Sequence, residues 1–499
     1  MKKNSVGLFD LMLAISIYCF LFCTSCIAQQ DKEQTIKQNF VGCWVDSDTL
    51  GKSIEDLSIR KFSFNSKNQL TLSQYEPSIQ CRAWTGINEF KIKGEYLYWY
   101  EFRAKVAADK KTIQLEYITS SGATIPFTLI RYDQANDFMT KLESSEGESY
   151  SYQIPKTTYD GWECADLSTV QMGNKRIVDL MNDIMNGEYD DIHGVLIVKN
   201  GKLVVEEYFN DKGKLHGDFV NDLYRDRLHH QSSVAKSVIS ALFGIAIDNG
   251  YIKDINEPLF KFFPEYFSLF DSAKKSILLK HVLTMSTGLK WNEFAYPFTD
   301  PRNSAFQWKL SKDNLKFYLE RDMMSVPGTA FNYSGGCMML LAEIVRRATG
   351  LAIDRFAETH LFNTIGVSKY KWLGNDTLVT NHSGGIGLRA RDMAKLGLLF
   401  LNNGKWQGKK VVSEDWVLHS TDSKINTGYT GYGYQWWIRS FQVNDKTLTS
   451  FYAIGLGGQF ILGIRELNMV LVFTGANFGG DWSSNVYKIV EEYILPSAS

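Results

Sequence analysis

The chain has 499 residues, with 54 Lys and Arg set against 55 Asp and Glu for a net charge of −1. That length exceeds one ordinary core, and the balanced charge leaves no basic footprint for nucleic acid. Aromatic residues make up 14 % of the chain and Pro numbers only 9, which excludes a disordered or Pro-rich polymer.

Residues 1–28 read as a leader. Lys2 and Lys3 precede an apolar run from Leu11 to Cys23, shorter than the roughly 20 residues of a membrane span. Two processing outcomes compete: lipid on Cys26 of the loose lipobox Cys23-Thr24-Ser25-Cys26, which anchors the chain to a membrane, or cleavage after Ala28. Both predict an exported protein, periplasmic or held as a membrane-anchored lipoprotein. Of seven cysteines, Cys19, Cys23 and Cys26 belong to the leader. Cys43, Cys81, Cys164 and Cys337 are widely spaced without a CxxC, so no zinc site is suggested. A Cys43–Cys81 bridge and separate buried thiols both fit that spacing.

Residues 35–140 read as a small all-β accessory domain. Short alternating runs recur about every ten residues, as at Leu57–Arg60, Leu70 and Leu72, Ile113–Tyr117 and Ile125–Ile130. Gly42-Cys43-Trp44 faintly resembles the opening of lipocalin-like barrels. Residues 141–158, beginning with an acidic Gly/Ser-containing stretch, read as a linker.

Residues 159–497 predict an α+β domain. A helix is expected over Lys175–Met185. Val195–Val198 and Leu203–Val205 flank Asn200-Gly201, a strong hairpin signal. A second strand pair is expected at Gln459–Ile464 and Met469–Phe473, with a closing helix from Trp482 to Ile494. Residues 233–420 are mostly helical in pattern. Strands at both ends and helices between them predict an antiparallel sheet with a helical insert.

The chemistry concentrates at one helix start. Ser233 and Lys236, three residues apart, share a face of a helix that is apolar almost all round. A lysine there is costly unless it has a partner or a task. A serine hydroxyl needs a base to become a nucleophile, and an uncharged lysine can serve. Lowering its pKa from about 10.4 to about 7 takes roughly 4.6 kcal/mol, within reach of burial. Ser-x-x-Lys also starts at Ser58, Ser272 and Ser368, but only Ser233 opens a long apolar helix. A helix cap with a snorkelling lysine is the plain structural alternative. Tyr333 lies in the loop entering another helix, and Gly455-Leu456-Gly457-Gly458-Gln459 enters a strand whose N–H groups could face a substrate oxygen.

These segments resemble the serine β-lactamase-related hydrolases, a family of class C β-lactamases, penicillin-binding proteins, D-aminopeptidases and esterases. Ser233-Val234-Ala235-Lys236 matches the first motif and Tyr333-Ser334-Gly335 the Tyr-x-Asn motif. Leu456-Gly457-Gly458 occupies the place of the Lys/His-x-Gly motif. His281–Leu289 and Gly385–Ala394 are supporting stretches. The resemblance implies a β-lactamase/transpeptidase-like domain, with an antiparallel sheet flanked by helices and a helical subdomain. It implies Ser233 as nucleophile, Lys236 and Tyr333 as the proton-handling pair, and the backbone N–H groups of Ser233 and Gln459 as oxyanion donors. Gly335, Leu456, Gly457 and Gly458 would line the substrate site, and no cofactor or metal is implied.

Gly335 and Leu456 depart from the motifs, and losing a charge-assisted contact worth about 1.5–3 kcal/mol weakens binding of a substrate carboxylate. The expectation is therefore an esterase or amidase acting on a small-molecule or peptide substrate, more than an efficient β-lactamase. A penicillin-binding protein or D-aminopeptidase-type peptidase, and a catalytically decayed binding protein on the same scaffold, are the alternatives. Arg389 or Arg391 is a candidate replacement for the missing cation. Gly385–Ala390 matches G-x-G-x-x-A without the strand that a dinucleotide site needs before it. His229-His230 lacks metal-ligand spacing. Trp291, Trp436 and Trp437 are candidates for either cleft or core.

Overall fold

The computed structural model describes residues 33–46, 59–64, 69–76, 81–87, 90–93, 95–99, 102–118, 124–133, 149–189, 191–209, 224–296, 300–372, 385–443, 445–477 and 482–498. The expected leader with Cys19, Cys23 and Cys26, most of the acidic stretch before Tyr150, residues 380–383 and the Cys81 side chain lie outside the described residues. The chain divides into two compact units, the first ending at Glu143 and the second running from Ser144.

The first unit is a nine-stranded sheet. Its strands are β1 (Gly42–Asp46), β2 (Ile59–Phe64), β3 (Leu70–Glu76), β4 (Cys81–Ile87), β5 (Lys91–Lys93), β6 (Tyr96–Trp99), β7 (Phe102–Val106), β8 (Thr112–Ile118) and β9 (Thr124–Arg131). Their order, β4-β3-β2-β1-β9-β8-β7-β6-β5, keeps chain neighbours adjacent except β4 and β5, which end the order, and sets the first strand beside the last. Phe40, Trp44, Phe62, Leu97, Ile113 and Leu129 fill the core. Trp44 Nε1 donates to Phe40 O at 2.7 Å, and the Arg131 guanidinium lies 5.6 Å from the Trp44 ring. Gly42 has φ +135°, and a Cβ there would stand 3.1 Å from the same guanidinium. The close approach of the arginine thus accounts for the glycine of Gly-x-Trp.

The second unit is α+β. From Tyr150 the chain already packs against it, since the Tyr150 hydroxyl donates to Glu207 at 2.6 Å. Helix α1 (Asn174–Met185) buries Ile177, Leu180, Met181 and Ile184 at helical spacing. Strands β10 (Ile192–Lys199) and β11 (Lys202–Tyr208) form the expected hairpin, with Asn200 at φ +54° and Gly201 at φ +79°. Positive φ at both turn residues matches the right-handed strand twist, which is why Asn-Gly marks such turns.

The chain then leaves the sheet for a helical region and returns through β12 (Ile425–Asn426), β13 (Gly431–Tyr432), β14 (Trp437–Val443), β15 (Lys446–Gly455), β16 (Gln459–Ile464) and β17 (Met469–Gly475). The finished sheet has the order β11-β10-β17-β16-β15-β14-β13-β12, so both ends of the domain meet where β10 pairs β17. Val195 and Ile197 belong to the core shared with α1 and the closing helix Trp482–Ile489. Leu196 and Val198, pointing the other way, are also buried. On that side lies the helix Ala390–Leu401, where a Cβ on Gly397 would stand 2.5 Å from Val470. Burial on both faces is why these strands read as continuous apolar runs. The closing helix continues in a wider turn, Val490–Ile494.

Two helices carry the candidate site. Helix α2 (Ala235–Asp248) buries every residue from Ala235 to Ala246 and stops at Asn249-Gly250, with Gly250 at φ +75°. Helix α3 (Gly335–Thr349) packs against it. Ser334 caps α3, its Oγ accepting from Gly336 N at 3.1 Å, which fixes the residue before it, Tyr333.

Candidate active site

Ser233 lies in a tight turn, Ser232–Val234, that leads into α2. Ser232 has φ +46°, a rare conformation for a residue with a side chain. The turn is clasped by backbone on two sides. A Cβ on Gly385 would stand 2.9 Å from Ser232 O, and one on Gly455 would stand 2.3 Å from Gln231 O. Gly385, taken from the dinucleotide-like match, therefore serves close packing at this turn.

Lys236 Nζ donates to Ser233 Oγ at 2.9 Å. The same amine lies 4.9 Å from the centre of the Tyr333 ring, so the three side chains meet. Tyr333 stacks on Trp437, with centroids 5.9 Å apart and planes at 22°, and touches the exposed Phe294. Trp436, one residue away and facing the other way, is fully buried against Phe400 and Phe451. Of the candidate tryptophans, Trp437 supports the tyrosine and Trp291 supports Glu293, while Trp436 is core.

The charge of the lysine differs from the expectation of a depressed, neutral amine. Burial is the largest influence and lowers its pKa, but the electrostatic influence of the neighbouring Tyr333 and of the Glu293 carboxylate outweighs it. The net shift is upward from the ordinary lysine value, so a proton rests on Lys236. Geometry brought Tyr333 and Glu293 to the amine, partners that Ser-x-x-Lys could not announce.

The cluster opens into a cleft of about 350 Å³ whose walls include His230, Ser233, Lys236, Glu293, Gly335 and Leu456. Leu456 is 38 % exposed there, and Gly457 and Gly458 follow at φ +88° and +97°. Gln459 begins β16 opposite Gly455, its side chain turned into the sheet to donate to Gly475 O at 2.6 Å. Ser233 N–H belongs to a first helical turn, where amides lack intrahelical acceptors.

Neither arginine replaces the missing cation. Arg391 is buried between Glu206 at 2.7 Å and Asp160 at 3.0 Å. Arg389 is held by Asp392 at 2.6 Å and Asp226 at 3.1 Å. Arg389 instead lines a separate polar cavity of about 760 Å³. The exposed Lys309 is the further cation on the cleft wall.

Sequence reasoning did not single out Glu293 or the placing of His230 in the wall. His229 is buried against His193, with ring nitrogens 3.3 Å apart, and burial pushes it well below its ordinary pKa. Among the described residues no group of three or more His, Cys, Asp or Glu is placed to hold a metal ion.

A Ser-x-x-Lys at a helix start beside a tyrosine, packed against an antiparallel sheet flanked by helices, defines a hydrolase of the β-lactamase fold. The Beta-lactamase family model matches residues 187–490, more than half of the chain, and the protein belongs to that family. It is similar to a 6-aminohexanoate-dimer hydrolase from Paenarthrobacter ureafaciens, with 28 % identity over 286 residues, 53 % of this chain and 67 % of that one. In structure it resembles a candidate 6-aminohexanoate-dimer hydrolase from Bacillus anthracis, with TM-score 0.53, 20 % identity and coverage of 73 % and 93 %. It also resembles a family VIII carboxylesterase, with TM-score 0.51, 17 % identity and coverage of 69 % and 100 %.

Proposed function

We propose that this protein is an exported serine hydrolase that cleaves an ester or amide through an acyl-enzyme. Ser233 is the nucleophile. Lys236 and Tyr333 act as one titrating unit that, after losing one proton to solvent, takes the serine proton and returns it to the leaving group. Backbone N–H groups of Ser233 and Gln459 receive the oxyanion. The observation that carries the reading is the 2.9 Å contact between Ser233 Oγ and Lys236 Nζ, with the Tyr333 ring over the same amine. The relative from Paenarthrobacter ureafaciens is named a 6-aminohexanoate-dimer hydrolase, and a carboxylesterase shares the fold, which supports amide and ester bonds as targets.

Leu456 favours an esterase or amidase over an efficient β-lactamase, because the cleft offers no cation at that position for a substrate carboxylate. The basic and apolar leader supports export, with either lipid on Cys26 or cleavage after Ala28, and globomycin sensitivity of processing separates the two. The central test is a fluorophosphonate probe with wild type and Ser233→Ala. Labelling that depends on Ser233, with turnover of a p-nitrophenyl ester well above that of a chromogenic cephalosporin, is the expected result. Absence of Ser233-dependent labelling would favour the binding-protein alternative.

A further inference from the structure

Gly335 stands where related motifs carry an asparagine, and the space is not empty. The carboxylate of Glu293 fills it: Oε2 accepts from Gly335 N at 2.7 Å and from Trp291 Nε1 at 2.8 Å. A Cβ on Gly335 would already lie 3.5 Å and 3.7 Å from the two carboxylate oxygens, so a longer side chain would run into them. The glycine and the glutamate are one arrangement.

The exchange reverses the chemistry offered to a substrate. An amide can donate and accept, whereas a carboxylate only accepts. Both donors reach Oε2, and Oε1 has none among the described residues. Glu293 is partly buried and lines the same cleft as Ser233. The other charges there do not cancel it for a ligand. Lys236 feels the Glu293 charge but makes no hydrogen bond to it among the described residues, its Nζ donating to Ser233 Oγ instead; Lys309 is exposed and screened by water, and position 456 is leucine. Capping α3 would explain the bond to Gly335 N, but not why the acid replaces a motif side chain inside the cleft.

We infer that Glu293 is the specificity-determining residue of this cleft, its open carboxylate oxygen receiving an ammonium group so that the enzyme selects esters or amides carrying a primary amine. This rests on the reading of Ser233 as nucleophile, and the test separates the two. With the full chain, kcat/KM is measured for p-nitrophenyl esters matched in length but ending in ammonium, methyl or carboxylate. Wild type should prefer the ammonium ester over the methyl ester by about tenfold, the low end for a charge-assisted hydrogen bond, with the difference in KM and shrinking with salt. In Glu293→Gln the ratio should fall close to one, and Glu293→Asp should recover part of it. No wild-type preference, or a preference that survives in Glu293→Gln, would overturn the inference. A binding arm stands apart from catalysis and from the folding of the Glu293 variants. In Ser233→Ala, calorimetry should show hexylammonium bound about tenfold more tightly than 1-hexanol, and equal binding overturns the inference whatever the esters do. Ester hydrolysis that persists undiminished in Ser233→Ala counts against the nucleophile assignment, and the binding arm then decides the role of Glu293.

Discussion

Leu456→Lys should build a carboxylate-binding point into the cleft. Leu456 lines the same wall as Ser233 and is 38 % exposed, so a lysine amine there can reach a ligand while keeping part of its hydration. A charge-assisted hydrogen bond contributes about 1.5–3 kcal/mol, equivalent to roughly ten- to 150-fold in affinity. Exposure of the site screens the new charge, and the Glu293 carboxylate in the same cleft attracts it away from the ligand. The low end, about tenfold, is therefore expected in kcat/KM for a chromogenic cephalosporin. A neutral p-nitrophenyl ester serves as the internal reference, and the quantity read is the ratio of the two substrates. In a Glu293→Gln background the gain should be larger, because the competing anion is gone. A ratio that moves less than twofold in both backgrounds, with cooperative unfolding retained, would refute the idea that a missing cation at 456 limits recognition of carboxylates.

Lys236→Met should slow fluorophosphonate labelling of Ser233 by about 10²- to 10⁴-fold, the usual contribution of a positioned acid–base group. Because Lys236 is shifted upward, its charged form contributes stability fully below the ordinary lysine value of 10.5, and that contribution is lost as pH rises through the folded value. Labelling should accordingly climb with pH into the alkaline range, and a plateau already reached at pH 7 would contradict the assignment. Burial pushes the Glu207 carboxyl up to about 7 from 4.5, so its cost to the fold grows between those pH values and is complete above them. Glu207→Gln should raise stability by about 2–3 kcal/mol at pH 8 and leave it unchanged at pH 4, as read by urea titration. Gly385→Ala should cost about 1–2 kcal/mol for its positive φ and displace the Ser232 carbonyl, lowering esterase kcat by at least tenfold.

Local signals in this chain were readable where one segment decides its own conformation. Asn200-Gly201 sets a hairpin by turn geometry, and the all-apolar character of α2 sets its burial, so Ser233 and Lys236 could be placed together before any coordinates. Tyr333 was legible as a loop residue next to a capped helix. Glu293 was not, because its meaning comes from Gly335, 42 residues away in the chain, and only tertiary packing joins them. Arg389 and Arg391 looked available for the same reason. Nothing in their own segment shows that Asp226, Glu206 and Asp160 arrive from distant parts of the chain to hold them. The upward shift of Lys236 likewise follows from Tyr333 and Glu293, delivered by other loops. Trp436 and Trp437 are neighbours at the start of β14, and only the turn before that strand sends one to the core and the other beneath Tyr333.

The pairing of β10 with β17 has a consequence for biosynthesis. Ile192–Lys199 leaves the ribosome long before Met469–Gly475, yet each completes the other's hydrogen-bond ladder. A nascent chain holding everything up to β16 still lacks the strand that joins β10 to the rest of the sheet, so folding of this unit must wait until β17 has been made. A premature stop shortly before position 469 would therefore abolish the whole domain.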